Sequence, residues 1–350
     1  MSKVEPGCQF ASDNAAGVCP EAWEYLTYAN QGYAKPYGED VWTEKCIRQI
    51  QELFETDCEV FFTFNGTAAN SLAISAMCQS YNSVVCGSIA HLETDECGCP
   101  EFFTGGAKLL LADVDEGRIT PDSLTEIVRR RDDVHFPKVS ALSLTQSTEV
   151  GTVYSPQEIR QLSDIAHQNN MSVHMDGARL ANAIAALDVS PREMTWEAGV
   201  DVLSFGGTKN GLAIGDIVIF FNKQLAESFE YRCKQSGQLA SKMRYMSAGW
   251  LGLLNDGVWL KHAQHANRSA QQLAESLQSI REVELAFPTQ ANAVFVDMPA
   301  AAIESLRRDG WTFYTFAGCG GGRFMCSWRT SSEEIMALVT AAKNACSDAP

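Results

Sequence analysis

Residues 172–179 read Ser-Val-His-Met-Asp-Gly-Ala-Arg. The apolar run over 172–175 has the length of a buried strand. It delivers a carboxylate, Asp176, and a guanidinium, Arg179, at its end, and residues 178–187 continue as a helix-like stretch. The same order recurs on either side. Upstream, Val60-Phe61-Phe62-Thr63-Phe64 runs into the turn Asn65-Gly66-Thr67 and a helical stretch over 68–77. Downstream, a strand over 202–205 opens into Gly206-Gly207-Thr208-Lys209-Asn210-Gly211. Further strands are expected over 83–86, 108–112, 139–144 and 216–220. Helices are expected over 44–55, 121–131 and 156–169, the last capped by Ser155. Short apolar strands alternating with helices predict an α/β fold with a mostly parallel sheet covered on both faces.

Beyond about residue 245 the texture changes. Residues 247–280 are rich in Ala, Leu, Gln and Ser, which suits long helices. Strand-like runs follow over 293–298, 312–316 and 323–328, then a helix over 332–344. This predicts a large domain over 1–245 and a smaller α+β domain over 246–350.

Composition narrows the function classes. The chain has 350 residues, 27 Lys and Arg against 43 Asp and Glu, and a formal charge of −16. Nucleic acid and anionic membrane surfaces are therefore not expected partners. The apolar runs are too short for a membrane span, and the first residues, MSKVEPGCQFASDN, hold no apolar signal segment. Twelve cysteines without an export signal read as reduced thiols of a cytoplasmic protein. Cys97 and Cys99 lack a second pair at zinc-ligand spacing, so no metal is expected.

In open α/β sheets ligands bind at the carboxyl ends of strands. Taken singly, the three polar strand ends have ordinary readings: a tight turn at 65–67, a local ion pair at 176 and 179, a solvated lysine at 209. Together they supply an anion cradle at a helix start, a strand-end carboxylate and an amine. These are the parts that pyridoxal phosphate needs: phosphate at a helix N-terminus, a carboxylate opposite the pyridinium nitrogen, and a lysine that bonds its aldehyde. A nicotinamide-dependent oxidoreductase fits poorly. Gly318, Gly320, Gly321 and Gly322 are followed by Arg323 where G-x-G-x-x-G needs glycine.

The sequence resembles the low-specificity L-threonine aldolases, with phenylserine aldolase-like members, within the β-eliminating lyase superfamily. The carriers are Ser12-Asp13-Asn14, Tyr37-Gly38-Glu39-Asp40, residues 65–70, residues 91–107 (HLETDECGCPEFFTGGA), residues 145–151 (TQSTEVG), residues 174–179 and residues 204–211. The GGTKNG form departs from the lysine segment of the better-known members. The resemblance implies a fold-type I enzyme whose large domain binds pyridoxal 5′-phosphate. Its reaction would be retro-aldol cleavage of L-threonine, allo-threonine or phenylserine to glycine and an aldehyde.

Residue by residue, the resemblance implies that Lys209 bonds the cofactor and Asp176 faces its ring nitrogen. His91 stacks on the ring, and His91 or a water it orients takes the β-hydroxyl proton. Gly66 and Thr67 hold the phosphate, with Ser204 and Thr208 adding contacts. Arg179, next to the cofactor, shares the substrate carboxylate with Arg323 and Ser12, and Arg329 is the rival of Arg323. Glu96 stands near the substrate hydroxyl. Tyr37 reaches a neighbouring subunit's site, which implies a homo-oligomer, a tetramer before a dimer. Another lyase of this fold acting by β-elimination, or an aminotransferase, is the alternative.

Overall fold

The structure is a computed structural model that describes residues 9–131, 133–316 and 321–347. Gly318 and Gly320 lie outside the described residues. The larger sheet has seven strands: β1 (Glu59–Thr63), β2 (Asn82–Gly87), β3 (Lys108–Ala112), β4 (Lys138–Thr145), β5 (Ser172–Gly177), β6 (Val202–Phe205) and β7 (Asp216–Phe220). Their spatial order is β1-β7-β6-β5-β4-β2-β3. The run from β6 to β3 is parallel, and β7 pairs antiparallel with both β6 and β1. The antiparallel strand has a local cause. Residues 206–215 link β6 to β7 without the helical crossover that a parallel neighbour requires.

Strand periodicity distributes the core. In β7, Ile217 and Ile219 join the core on one face of the sheet, and Val218 and Phe220 join the core on the other. The second face is covered by α3 (Gly66–Met77), which buries nearly every residue from Ala69 to Met77. Preceding it are α1 (Pro20–Ala29) and α2 (Val41–Phe54). Together with α4 (Pro121–Arg129), α5 (Pro156–Gln168), α6 (Leu180–Leu187) and α7 (Arg244–Leu254), they pack on the first face. Helix starts carry chemical stops. Asn65 accepts from Ala68 N at 2.9 Å, and Ser155 and Glu158 close a capping box on α5.

The remainder holds α8 (Val258–Gln278), β8 (Glu284–Leu285), β9 (Ala293–Asp297), α9 (Ala300–Arg308), β10 (Tyr314–Thr315), β11 (Gly322–Met325) and α10 (Ser332–Ser347). Its four strands form an antiparallel sheet in the order β8-β9-β11-β10. The strand runs expected over 312–316 and 323–328 shorten to two and four residues. The two cores meet along α8: Val258, Trp259 and Ala263 pack into the large one, while Ala270, Leu273 and Leu277 pack into the small one. Phe10 also packs in the small core, and Phe10 N donates to Thr312 O at 2.8 Å. The segment before α1 thus lies against the small sheet.

One polar row crosses the parallel strands. His174 on β5 bonds Ser143 on β4 through Nδ1 and Ser204 on β6 through Nε2, each at 2.9 Å. The ring is fully buried, and that burial lowers its pKa from 6.5 to about 4. The unfolded chain binds this proton more readily, so the stability is complete above pH 6.5 and drains away as the pH falls toward 4. Between those limits the loss is about 3 kcal/mol. We expect urea unfolding of His174→Gln to be less acid-sensitive than wild type by that amount; equal sensitivity would assign the acid loss to other groups.

Candidate active site

The carboxyl ends of β4, β5 and β6 open on the same edge of the sheet as the first turn of α3. A cavity of about 280 Å³ lies there, lined by Asn14, Asn65, Gly66, Thr67, His91, Ala178, Gly206, Thr208, Lys209 and Asp216. The backbone approaches closely at its floor. A Cβ on Gly206 would stand 2.5 Å from Ala178 O, so the β6 exit can pass the β5 exit only as glycine.

The anion end is the start of α3. Asn65 occupies Ala68 N, and Asn65 O occupies Ala69 N. The amides of Gly66 and Thr67 donate to no acceptor among the described residues. They point from a helix N-terminus, where the backbone dipole favours negative charge.

The amine end is Lys209, half-buried on a short 3-10 turn, Thr208–Asn210. Burial, and after it the charge of Arg179, holds its pKa below the usual 10.5, against the pull of Asp13, Asp176 and Asp216. A lysine so placed has more neutral amine at neutral pH than an exposed one.

Asp176 is buried at the end of β5. Oδ1 accepts from Ala178 N at 3.0 Å, and Oδ2 accepts from Asn70 Nδ2 at 2.8 Å. The same Asn70 nitrogen donates to Glu96 Oε1 at 2.8 Å. His91 Nδ1 meets Glu96 Oε1 at 2.9 Å, while Nε2 lies 3.5 Å from Asp95. The bond to Glu96 raises the His91 pKa, opposed by burial and helped by the Asp176 charge. Burial raises Glu96, with the His91 and Asn70 bonds opposing. Glu96, expected near the substrate hydroxyl, therefore sits behind His91 as its anchor. Glu149 accepts from His91 N at 2.9 Å, and burial pushes its carboxyl up to about 7.

The two arginines are engaged differently. Arg179 makes a two-pronged bond to Asp13, Nε at 2.7 Å and Nη2 at 3.0 Å, and Asn292 adds a third donor to that carboxylate at 3.1 Å. Burial would raise Asp13, but the Arg179 charge and bonds outweigh it and hold the carboxyl low. Only the Nη1 edge of Arg179 is left outside this pairing. Arg323 donates Nη2 to Ala11 O at 3.1 Å and lies over the Tyr314 ring, and its Nε is buried without a partner. Its rival Arg329 is exposed.

Of the residues expected at this chain's own cofactor and substrate, Gly66, Thr67, His91, Thr208 and Lys209 line the cavity, whereas Ser12, Asp176, Arg179, Ser204 and Arg323 are not among its lining. The hydroxyl of Ser204 is committed to His174 inside the sheet, because a residue within a strand points to a face rather than to the strand's end. Tyr37 is 47% exposed, with a backbone φ of 58° and the Lys234 ammonium 4.8 Å above its ring, away from this chain's own cavity. Ser12 is at the entrance segment, where its hydroxyl caps Asn14 N at 3.2 Å.

Three participants escaped the sequence reading. Asn70 lies four residues past Gly66 and so on the same helix face, a spacing that was legible. Asp13 stood inside the quoted Ser12-Asp13-Asn14. Asp216 was visible as a lone charge opening an apolar strand.

A family model described as Beta-eliminating lyase matches residues 9–301. The low specificity L-threonine aldolase of Pseudomonas sp. (strain NCIMB 10558) is 56% identical, over 94% of this chain and 95% of its own length. The enzyme of the same name from Pseudomonas aeruginosa matches equally, at 56% over the same shares. Among solved structures, a Leishmania major threonine aldolase superposes with a TM-score of 0.90 at 26% identity, covering 96% of this chain and 98% of that one. With a cavity of this chemistry at its sheet edge, and with these relatives along nearly its whole length, the chain belongs to the beta-eliminating lyase family.

Proposed function

We propose that the protein is a pyridoxal-phosphate-dependent aldolase that cleaves L-β-hydroxy-α-amino acids, threonine, allo-threonine and phenylserine among them, to glycine and an aldehyde. The observation that carries the reading is one cavity lined by Gly66 and Thr67, at the free-amide start of α3, and by Lys209, whose lowered amine feels the charge of Asp176, buried at the end of β5. The residues present fit the cofactor. Gly66 and Thr67 would hold its phosphate, Asp176 its ring nitrogen, and Lys209 its aldehyde carbon, with His91 beside the ring. When bound, pyridoxal phosphate supplies a sink for the electron pair released as the Cα–Cβ bond breaks.

The chain's own groups do the rest. Arg323 and the remaining edge of Arg179, with Ser12, bind the substrate carboxylate. Fixing that group decides which bond at Cα breaks, through orientation. His91 is locked through Nδ1 to Glu96, which leaves Nε2 to take the β-hydroxyl proton directly or through a water. Asn70 keeps the Glu96 and Asp176 carboxylates in register by donating to both. Thr208 precedes the lysine and lines the phosphate end, with its hydroxyl donated to Asp216.

The exposed Tyr37 at the Tyr-Gly-Glu-Asp turn serves a neighbouring subunit, so the working form is a homo-oligomer, a tetramer before a dimer. No helix among the described residues is long and apolar enough to cross a membrane. The working compartment is the cytoplasm.

Lys209→Ala is expected to lose the visible absorbance of the purified protein, its borohydride-trapped label and its turnover together. A label retained elsewhere in the chain would move the reaction to another lysine. Arg323→Ala is expected to raise KM for threonine roughly ten- to a hundredfold with a smaller change in kcat, the worth of a lost charge-assisted hydrogen bond. Arg329→Ala is expected to leave both constants near wild type; the opposite pattern would exchange the two roles. Product analysis separates the reaction classes: glycine with an aldehyde is expected, whereas ammonia with an oxo acid would mean β-elimination.

A further inference from the structure

Asp216 touches neither cofactor nor substrate in the scheme above, yet it stands inside the same cavity as Gly66, Thr67 and Lys209. It opens β7, and its position follows from the short return from β6. Oδ1 accepts from Gly207 N at 2.8 Å, from Thr208 N at 3.3 Å and from the Thr208 hydroxyl at 3.3 Å. That oxygen therefore pins the two residues ahead of Lys209. Oδ2 accepts from no described residue and lies 3.3 Å from where a Cβ on Gly66 would stand. The carboxylate thus presents an unpaired oxygen to the helix start whose free amides would receive a phosphate.

A carboxylate and a phosphate dianion at adjoining positions in a shielded cavity repel strongly. A proton on Oδ2 removes the conflict. It also leaves Oδ1 able to accept from Gly207 and Thr208, so the lysine turn keeps its support. Burial already pushes the Asp216 carboxyl upward, against the two amides, the Lys209 charge and the Thr208 hydroxyl. Lys209 and His91 are the titratable side chains that line the cavity with it; the first turn of α3 and the end of β1 contribute the uncharged Asn65, Thr67 and Thr63.

We propose that capture of the cofactor phosphate is proton-linked through Asp216: one proton passes from solvent to Oδ2 as the dianion occupies the start of α3. The inference rests on the pyridoxal phosphate reading. It makes phosphate affinity fall as pH rises through the ionisation of Asp216, by up to about tenfold per pH unit.

The test uses the apo-protein and pyridoxine 5′-phosphate, which carries the phosphate but no aldehyde and so cannot bond Lys209. Calorimetry at about pH 8, in two buffers of different ionisation enthalpy, counts protons while the ligand is already a dianion. Up to about pH 8, where the ring nitrogen of the free ligand is still largely protonated, wild type is expected to take up a proton fraction on binding, and its affinity to fall as the pH rises from about 7 to 8. Asp216→Asn is expected to take up none and to bind with a flat pH profile. Lys209→Ala and His91→Gln remove the other titratable side chains of the cavity whose proton affinity a dianion would raise, and in both the uptake is expected to persist. Binding by wild type without uptake anywhere in this range overturns the proposal whatever the variants do, and so does uptake that survives in Asp216→Asn or vanishes in Lys209→Ala or His91→Gln. If pyridoxine 5′-phosphate does not bind at all, the cofactor reading falls and the proposal with it; if it binds without uptake, only the proposal falls.

Discussion

A parallel strand pair cannot be joined by a tight turn, and this restriction organises the molecule. Each parallel strand of the large sheet must return over a face, so the carboxyl ends of β2, β4, β5 and β6 all open on one edge. His91, Glu149, Asp176 and Lys209 follow those strand ends in the chain, and the fold therefore collects them. The exception is equally physical. The link from β6 to β7 turns straight back, and that reversal sets Asp216 against the lysine turn and the start of α3.

The collected site is crowded with charge, and its charges are held in place by one another. Asp13 and Arg179 form a buried ion pair between the segment before α1 and the exit of β5, and Asn292 ties it to the small sheet. Such a pair is weak evidence for net stability, because desolvation offsets the attraction. What it fixes is geometry: it sets the orientation of Arg179 and brings Ala11 to Arg323. Asn70 does the same for Glu96 and Asp176. Most of these polar groups are paired with one another in a shielded region, the Oδ1 atoms of Asn70 and Asn292 being the exceptions, so removing one leaves another buried and unpaired.

Much of the fold was legible because its signals are local. Strands over 108–112, 202–205 and 216–220 appear with the expected bounds, since short apolar runs between helices have few other readings. Ser155 caps α5 as its sequence context indicates. The small sheet was read less well. The segments about 314 and 323 pair only briefly, and pairing length depends on what the partner strand offers rather than on composition. The helix over 20–29 was missed because its apolar spacing is weak and its packing against α7 supplies the stability.

By itself the sequence determined the alternation of strand and helix, the sign of the charge, and the chemical types of Asp176, Lys209 and the Gly66-Thr67 turn. Motif order along the chain was enough to name the cofactor chemistry. Tertiary structure alone decided which of those side chains share a cavity. It turned Ser204 into the sheet, anchored His91 on Glu96, engaged Arg179 with Asp13, and set Asp216 beside a helix 150 residues earlier in the chain. The reason is that hydrogen bonds and charge interactions act over a few ångströms of space. Which residues come within that range is set by strand order and direction, and a linear pattern of residue types records neither.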